Sequence, residues 1–106
     1  MTKIAIISDI HSNLYALEAF MNYIETTSDI AYILNMGDFL QIGPHPREVY
    51  DIVMNDSRFL NIMSNGEYMF FNEEVRKHYE KEALHQEWVR NQLGSERMER
   101  LKQVLF

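Results

Sequence analysis

An acid and an imidazole stand two residues apart, Asp9 and His11, in the stretch Ser8-Asp9-Ile10-His11-Ser12-Asn13, where an apolar run ends. In an extended segment residues i and i+2 project to the same side, so a carboxylate oxygen and a ring nitrogen placed this way converge on one ion. Taken alone, the pair reads more simply as a solvated turn acid beside a hydrogen-bonded histidine. Two further residues change the weighting, because Asp38 in Gly37-Asp38 and Asn65 in Ser64-Asn65-Gly66-Glu67 also follow apolar runs. Each has its own plain reading: Asp38 as the cap of a loop, Asn65 as an ordinary turn asparagine.

What could bring these residues together is the order of elements between them. Residues 3–8 (KIAIIS) form a short β-branched run of the kind expected for a strand buried on both faces of a parallel sheet. Leu14, Leu17, Met21 and Ile24 then recur at helical spacing, with Ser12 or Asn13 as N-cap and an end near Thr26. Residues 31–36 predict a second strand. Pro46 suits a first helical position, and Val49, Ile52 and Val53 supply that helix's apolar stripe. Residues 59–63 predict a third strand, ending in a turn where Gly66 can take positive φ. From about residue 73 a long charged helix is expected, with Val75, Tyr79, Ala83, Trp88 and Val89 as its irregular apolar face. Gly94-Ser95 would stop it and cap a last turn sequence carrying Met98, Leu101 and Leu105.

The chain is 106 residues long, enough for one small core, and nothing in it suggests a linker or repeat, so residues 1–106 read as a single α/β domain. Sixteen acidic residues against ten basic give a net charge of -6, which opposes binding to duplex nucleic acid or an anionic membrane. Cysteine is absent, so disulfides and thiolate metal sites are excluded, and a reducing cytoplasm is the expected compartment. The residues 4–7 run is too short for a signal-peptide core, and no stretch approaches a bilayer span.

A β-α-β-α-β order implies parallel strands joined by right-handed crossovers, which puts all three strand exits on one edge. Ligands bind beyond such carboxyl ends, and here the exits carry Asp9 with His11, then Asp38, then Asn65. Carboxylates crowded together repel unless a cation joins them. The chemistry this suggests is two-metal phosphoester hydrolysis, with Asp38 as the bridge, Asp9 and His11 on one ion and Asn65 on the second. Such a donor set suits Mn²⁺, with Fe or Zn²⁺ as alternatives.

The three segments DIHSNLYALEAF, MGDFLQIGPHPREV and SNGE together resemble the N-terminal half of the calcineurin-like metallophosphoesterase superfamily. The likeness is to its compact bacterial phosphoesterases, whose first motif reads Asp-x-His-Gly-Asn before a leucine-rich helix and whose second includes Gly-Pro-x-Pro. The FNEEV and WVRNQL stretches are similar to that subgroup as well. The resemblance implies a partial metallophosphoesterase sandwich, a three-stranded parallel sheet with crossover helices and a helical C-terminal segment. It puts Asp9, His11, Asp38 and Asn65 on metal-ligand positions. The implied activity is hydrolysis of phosphomonoesters, phosphodiesters or nucleotide polyphosphates.

Two departures matter. The family's third motif reads Gly-Asn-His before an acid, whereas Ser64 and Gly66 stand here, so the histidine that assists the phosphate and leaving group is missing. Family members also continue into a second half, with later histidine motifs that complete both metal spheres. His45, His78 and His85 fit none of those motifs and read as solvated or packed histidines. The dinuclear site is therefore expected to be incomplete, no residue is assigned as catalytic, and the chain by itself is expected to be weak or inactive. The alternative is a non-catalytic module that keeps the half-fold and self-associates. In either case a sheet face normally covered in the sandwich would be open, which predicts a homodimer or higher oligomer.

Overall fold

Alternation of apolar runs with amphipathic helices produces a three-stranded parallel sheet in the order β1-β2-β3. The computed structural model describes residues 2–77 and 80–104, excepting the side chains of residues 65, 75, 76, 80 and 104. The expectations placed on His78, Tyr79 and Leu105, and on the Val75 side chain, lie outside the described residues. β1 (Lys3–Ile7) leads through α1 (Leu14–Thr26) to β2 (Ile30–Asn35), and α2 (Pro46–Asn55) leads to β3 (Phe59–Asn61). The third strand is shorter than expected because β2 ends at Asn35, whose carbonyl takes the Ile62 N–H at 2.9 Å as the last rung. Short helices α3 (Asn65–Met69) and α4 (Glu73–Lys77) precede α5 (Glu80–Val104), which is interrupted at Gly94, φ 80°. That interruption falls at the stop expected from Gly94-Ser95.

Helix ends follow local chemistry. Asn13, not Ser12, caps α1, its side-chain oxygen accepting the Ala16 N–H at 3.0 Å. Ser12 is buried, and its hydroxyl donates to the Leu40 carbonyl. Pro46 opens α2, where its missing N–H costs nothing.

One sheet face is covered and the other is not. Ile33 and Phe59 share a buried cluster with Leu17 and Ile24 of α1, Val49 and Val53 of α2, and Val89, Leu93 and Leu101 of α5. The pleat sends Ile4, Ile6, Tyr32 and Leu60 to the opposite side, where they are 60, 68, 48 and 45% exposed. β1 is thus an edge strand with one open face. The expectation of burial on both faces fails, because a continuous apolar run records low polarity on each side without recording what covers it.

α5 is held to α2 by a polar seam. Arg97 makes a two-pronged contact with Asp51, Nε to Oδ1 at 2.9 Å and Nη2 to Oδ2 at 3.0 Å, and the Tyr50 hydroxyl donates to the Arg97 carbonyl at 2.9 Å. Arg97 holds the Asp51 carboxyl below the usual carboxylate range.

Candidate metal centre

Parallel strands bring residues 8–12 and 37–42 to one edge, and backbone hydrogen bonds lace the two loops together. Asp9 N–H donates to Gly37 O at 3.1 Å, His11 N–H to Asp38 O at 3.0 Å and Ser12 N–H to Phe39 O at 2.8 Å. Gly43 closes against the same turn, with so little room that a Cβ there would meet the His11 carbonyl oxygen at 1.8 Å.

This lacing forces unusual backbone. Asp9 (φ 61°), His11 (φ 50°), Ser12 (φ 53°) and Asp38 (φ 55°) all occupy the left-handed region, as does Ile42 (φ 85°). Such conformations cost on the order of 1 kcal/mol or more for a non-glycine residue, and they cluster at sites where geometry matters more than local stability. Asp9 and His11 meet, but not by the extended alternation expected from their spacing. The left-handed turn itself folds the two side chains toward each other.

His11 Nε2 lies 3.2 Å from Asp9 Oδ1, and His11 Nδ1 lies 3.2 Å from the Gln41 carbonyl oxygen. Both ring nitrogens therefore face acceptors. A neutral imidazole carries one N–H, so with Nδ1–H donating to Gln41 O the Nε2 lone pair confronts a carboxylate oxygen unless a cation, proton or metal, lies with them. The Ser8 hydroxyl donates to Asp9 Oδ2 at 2.6 Å and holds that carboxyl below its ordinary range; His11 and a side-chain contact with Asp38 lower it further. A side-chain contact thus joins the first strand exit to the second.

Asp38 ties the second exit to the third. Its Oδ1 accepts from the Ser64 hydroxyl at 2.5 Å and from the Gly66 N–H at 3.2 Å. The Ser64–Glu67 segment is not the open turn expected: residues 65–69 form α3, and Gly66 sits in it without a positive φ. The Asn65 side chain lies outside the described residues, so its place as a ligand is not part of this geometry. Of the other histidines, His45 packs edge-on to Tyr15 at 5.4 Å, while His85 stacks on Trp88 and accepts the Ile42 N–H at 2.8 Å.

Three polar residues that sequence reasoning did not single out support the site from beneath. Asn35 and Asn61, paired across β2 and β3, are buried and joined by a 3.0 Å side-chain hydrogen bond, and Asn35 Oδ1 also receives the Gly37 N–H. Glu67 is fully buried, Oε1 accepting the Asp38 N–H at 2.8 Å and Oε2 the Phe39 N–H at 3.2 Å, with the Ser64 hydroxyl 2.8 Å from Oε1. Burial pushes its carboxyl above the ordinary range. A usable signal existed for the asparagines: both fall on the covered face of strands, where an amide needs a partner.

The donor types at these exits, two carboxylates and an imidazole whose far nitrogen faces a carbonyl, are ones that a divalent ion accepts. Among the described residues no three His, Cys, Asp or Glu side chains are gathered around a single ion-sized point. No helix among the described residues is long and apolar enough to cross a membrane.

Comparison with known proteins gives the family. The family model described as calcineurin-like phosphoesterase matches residues 2–104. A protein of Methanocaldococcus jannaschii, called uncharacterized, is 35% identical over 80 residues, which cover 76% of this chain and 32% of that protein. The chain thus spans about a third of the length of that curated relative. No solved structure matches it.

Proposed function

Since the chain belongs to the calcineurin-like phosphoesterase family, we propose that it carries the first metal limb of a divalent-metal phosphoesterase acting on phosphomonoesters, phosphodiesters or nucleotide polyphosphates. The observation that carries this reading is the facing of His11 Nε2 and Asp9 Oδ1 at 3.2 Å, with Asp38 alongside, on backbone held in the left-handed region. In this reading Asp9 and His11 hold one ion, Asp38 bridges to a second, and Asn65 serves the second. Mn²⁺ is the ion proposed, with Fe or Zn²⁺ as alternatives. A bound divalent ion supplies Lewis acidity toward a phosphate oxygen and lowers the pKa of water.

The chain's own residues do the rest. Gln41 O fixes the His11 tautomer by accepting from Nδ1, which presents the Nε2 lone pair outward. The Ser64 hydroxyl and the Gly66 N–H hold Asp38 Oδ1 toward the third exit. Equilibrium dialysis of the chain against Mn²⁺ tests the assignment: uptake lost in Asp9→Ala and in Asp38→Ala is the expected result. Equal uptake by both variants and the wild type would sink it. Turnover of a generic aryl phosphate ester, with and without chelator, tests catalysis separately.

A second reading, a self-associating module, is favoured by the open sheet face. Ile4, Ile6, Tyr32 and Leu60 lie exposed on one side of the sheet, and exposed apolar faces are where partners bind. A second copy supplying the same face would cover it. Light scattering across micromolar concentrations decides: a monodisperse monomer removes this reading.

A further inference from the structure

Two neighbouring residues of α5, His85 and Gln86, each keep one hydrogen-bonding group unused, and both line the same cavity. It has a volume of about 200 Å³, lies between residues 41–42 and α5, and is lined by Gln41, Ile42, Lys81, Glu82, His85 and Gln86. On the helix these residues form two i, i+4 rows, 81 with 85 and 82 with 86, so the cavity follows the groove between adjacent rows.

The unused groups are a donor and an acceptor. His85 Nε2 accepts the Ile42 N–H at 2.8 Å, so the neutral ring carries its hydrogen on Nδ1, and that N–H has no partner among the described residues. Gln86 is 1% exposed; its Oε1 is buried with no hydrogen-bond partner, while its Nε2 meets the Met69 sulfur at 3.6 Å. A buried amide oxygen left in this state destabilises the fold unless something binds it. The terminal torsion of a glutamine is soft, so the oxygen turns to a ligand without any movement of the helix. Ile42 closes the other side, its backbone in the left-handed region at φ 85° and its apolar side chain 68% exposed, a wall for a flat ring. Lys81 and Glu82, both exposed, cancel in charge, which favours a neutral ligand over an ion.

We propose that this cavity binds a uracil-type pyrimidine base, the ring N–H donating to Gln86 Oε1 and a ring carbonyl accepting from His85 Nδ1–H. A donor and an acceptor side by side on one planar edge are the complement of what these two residues leave unused. The volume falls below the roughly 300–1,000 Å³ of sites for larger ligands, so it takes one ring and leaves sugar and phosphate outside. The Gln41 carbonyl faces His11 Nδ1 at 3.2 Å, which puts the cavity next to the strand exits. As a binding site the cavity stands without any ion; as recognition of a nucleotide substrate it rests on the phosphoesterase reading above.

The test is an amide-shift NMR titration of the chain with uridine in the presence of EDTA. Uridine is expected to shift the Ile42 N–H and residues 81–86, and ribose 5-phosphate to leave them in place. Gln86→Met, similar in volume but without the amide oxygen, is expected to weaken uridine roughly tenfold, the worth of one hydrogen bond. 3-Methyluridine, which lacks the ring N–H, is expected to show the same loss on the unaltered chain, a result that does not depend on how the variant folds. Lys81→Ala is expected to leave the affinity unchanged, since the ligand is neutral. No shift with millimolar uridine, equal affinity for uridine and 3-methyluridine, or a response to ribose 5-phosphate at the same residues overturns the proposal and leaves the phosphoesterase reading standing. Uridine binding with these losses, by a chain that takes up no Mn²⁺, keeps the site and removes that reading instead.

Discussion

Glu67 offers the most informative single perturbation, because its two oxygens hold the Asp38 loop from inside the protein. Glu67→Ala removes both acceptors. The Asp38 N–H keeps a second partner in the Ser64 hydroxyl at 2.8 Å, but the Phe39 N–H, 3.2 Å from Oε2, is left buried and unpaired. One stranded donor plus the void left by the side chain amounts to about 3 kcal/mol of lost stability. Glu67→Gln keeps the shape and one acceptor oxygen while turning an NH₂ toward the other N–H. That mismatch costs about 1–2 kcal/mol, opposed by no longer holding a charge in the interior, so the expected net loss is under about 1 kcal/mol. Acidity gives a second handle. Burial raises the folded-state affinity of Glu67 for a proton, so its contribution is fully present below the unfolded carboxyl range and is lost as pH rises through the elevated folded value. The wild type should therefore gain stability relative to Glu67→Gln on mild acidification from neutrality. Urea unfolding of the three proteins at pH 7 and at mildly acidic pH measures both effects. A Gln variant as unstable as the Ala variant, or a difference from wild type that does not move with pH, refutes the placement of Glu67 as a buried clamp.

Removing the Arg97 guanidinium (Arg97→Ala) should cost about 1 kcal/mol, since the pair with Asp51 is partly exposed and screened. Because Asp51 is held below its ordinary range, that contribution is present above the unfolded carboxyl value and disappears as pH falls through the lower folded value. Denaturation curves at pH 7 and pH 3 should show a wild-type advantage at the first and little at the second. Gly43→Ala is expected to disrupt the loop by on the order of 3 kcal/mol, because the added Cβ would meet His11 O at 1.8 Å; a melting temperature equal to wild type would contradict that close approach. Mn²⁺ should raise the melting temperature in proportion to the logarithm of its concentration, and Asp9→Ala should abolish the shift; a shift of equal size in both would place the ion elsewhere.

Much of the fold was legible in the chain before any coordinates. The alternation of β-branched runs with 3.6-residue stripes located all three strands and the α1 and α2 helices, and the Ser12-Asn13 pair and Pro46 marked helix starts, because these signals are local. The shorter third strand and the α3 helix at Asn65–Met69 were missed: their limits depend on where β2 runs out of partners and on the Asp38 carboxylate accepting the Gly66 N–H from another loop. The open side of β1 was not legible in its own run, since residues 4 and 6 are as apolar as any core position.

For the site, sequence determined which donors exist and at which strand exits they stand, since residue type and element order are properties of the chain alone. Only tertiary structure decided how they meet. Asp9 and His11 face each other because backbone bonds to residues 37–39 hold them in the left-handed region, which no pattern of spacing encodes. Glu67 becomes a buried clamp, and Gln41 comes to fill the space over Gly66, through contacts between residues some 25 to 30 apart in the chain. Such contacts exist only once the sheet has brought its exits to one edge.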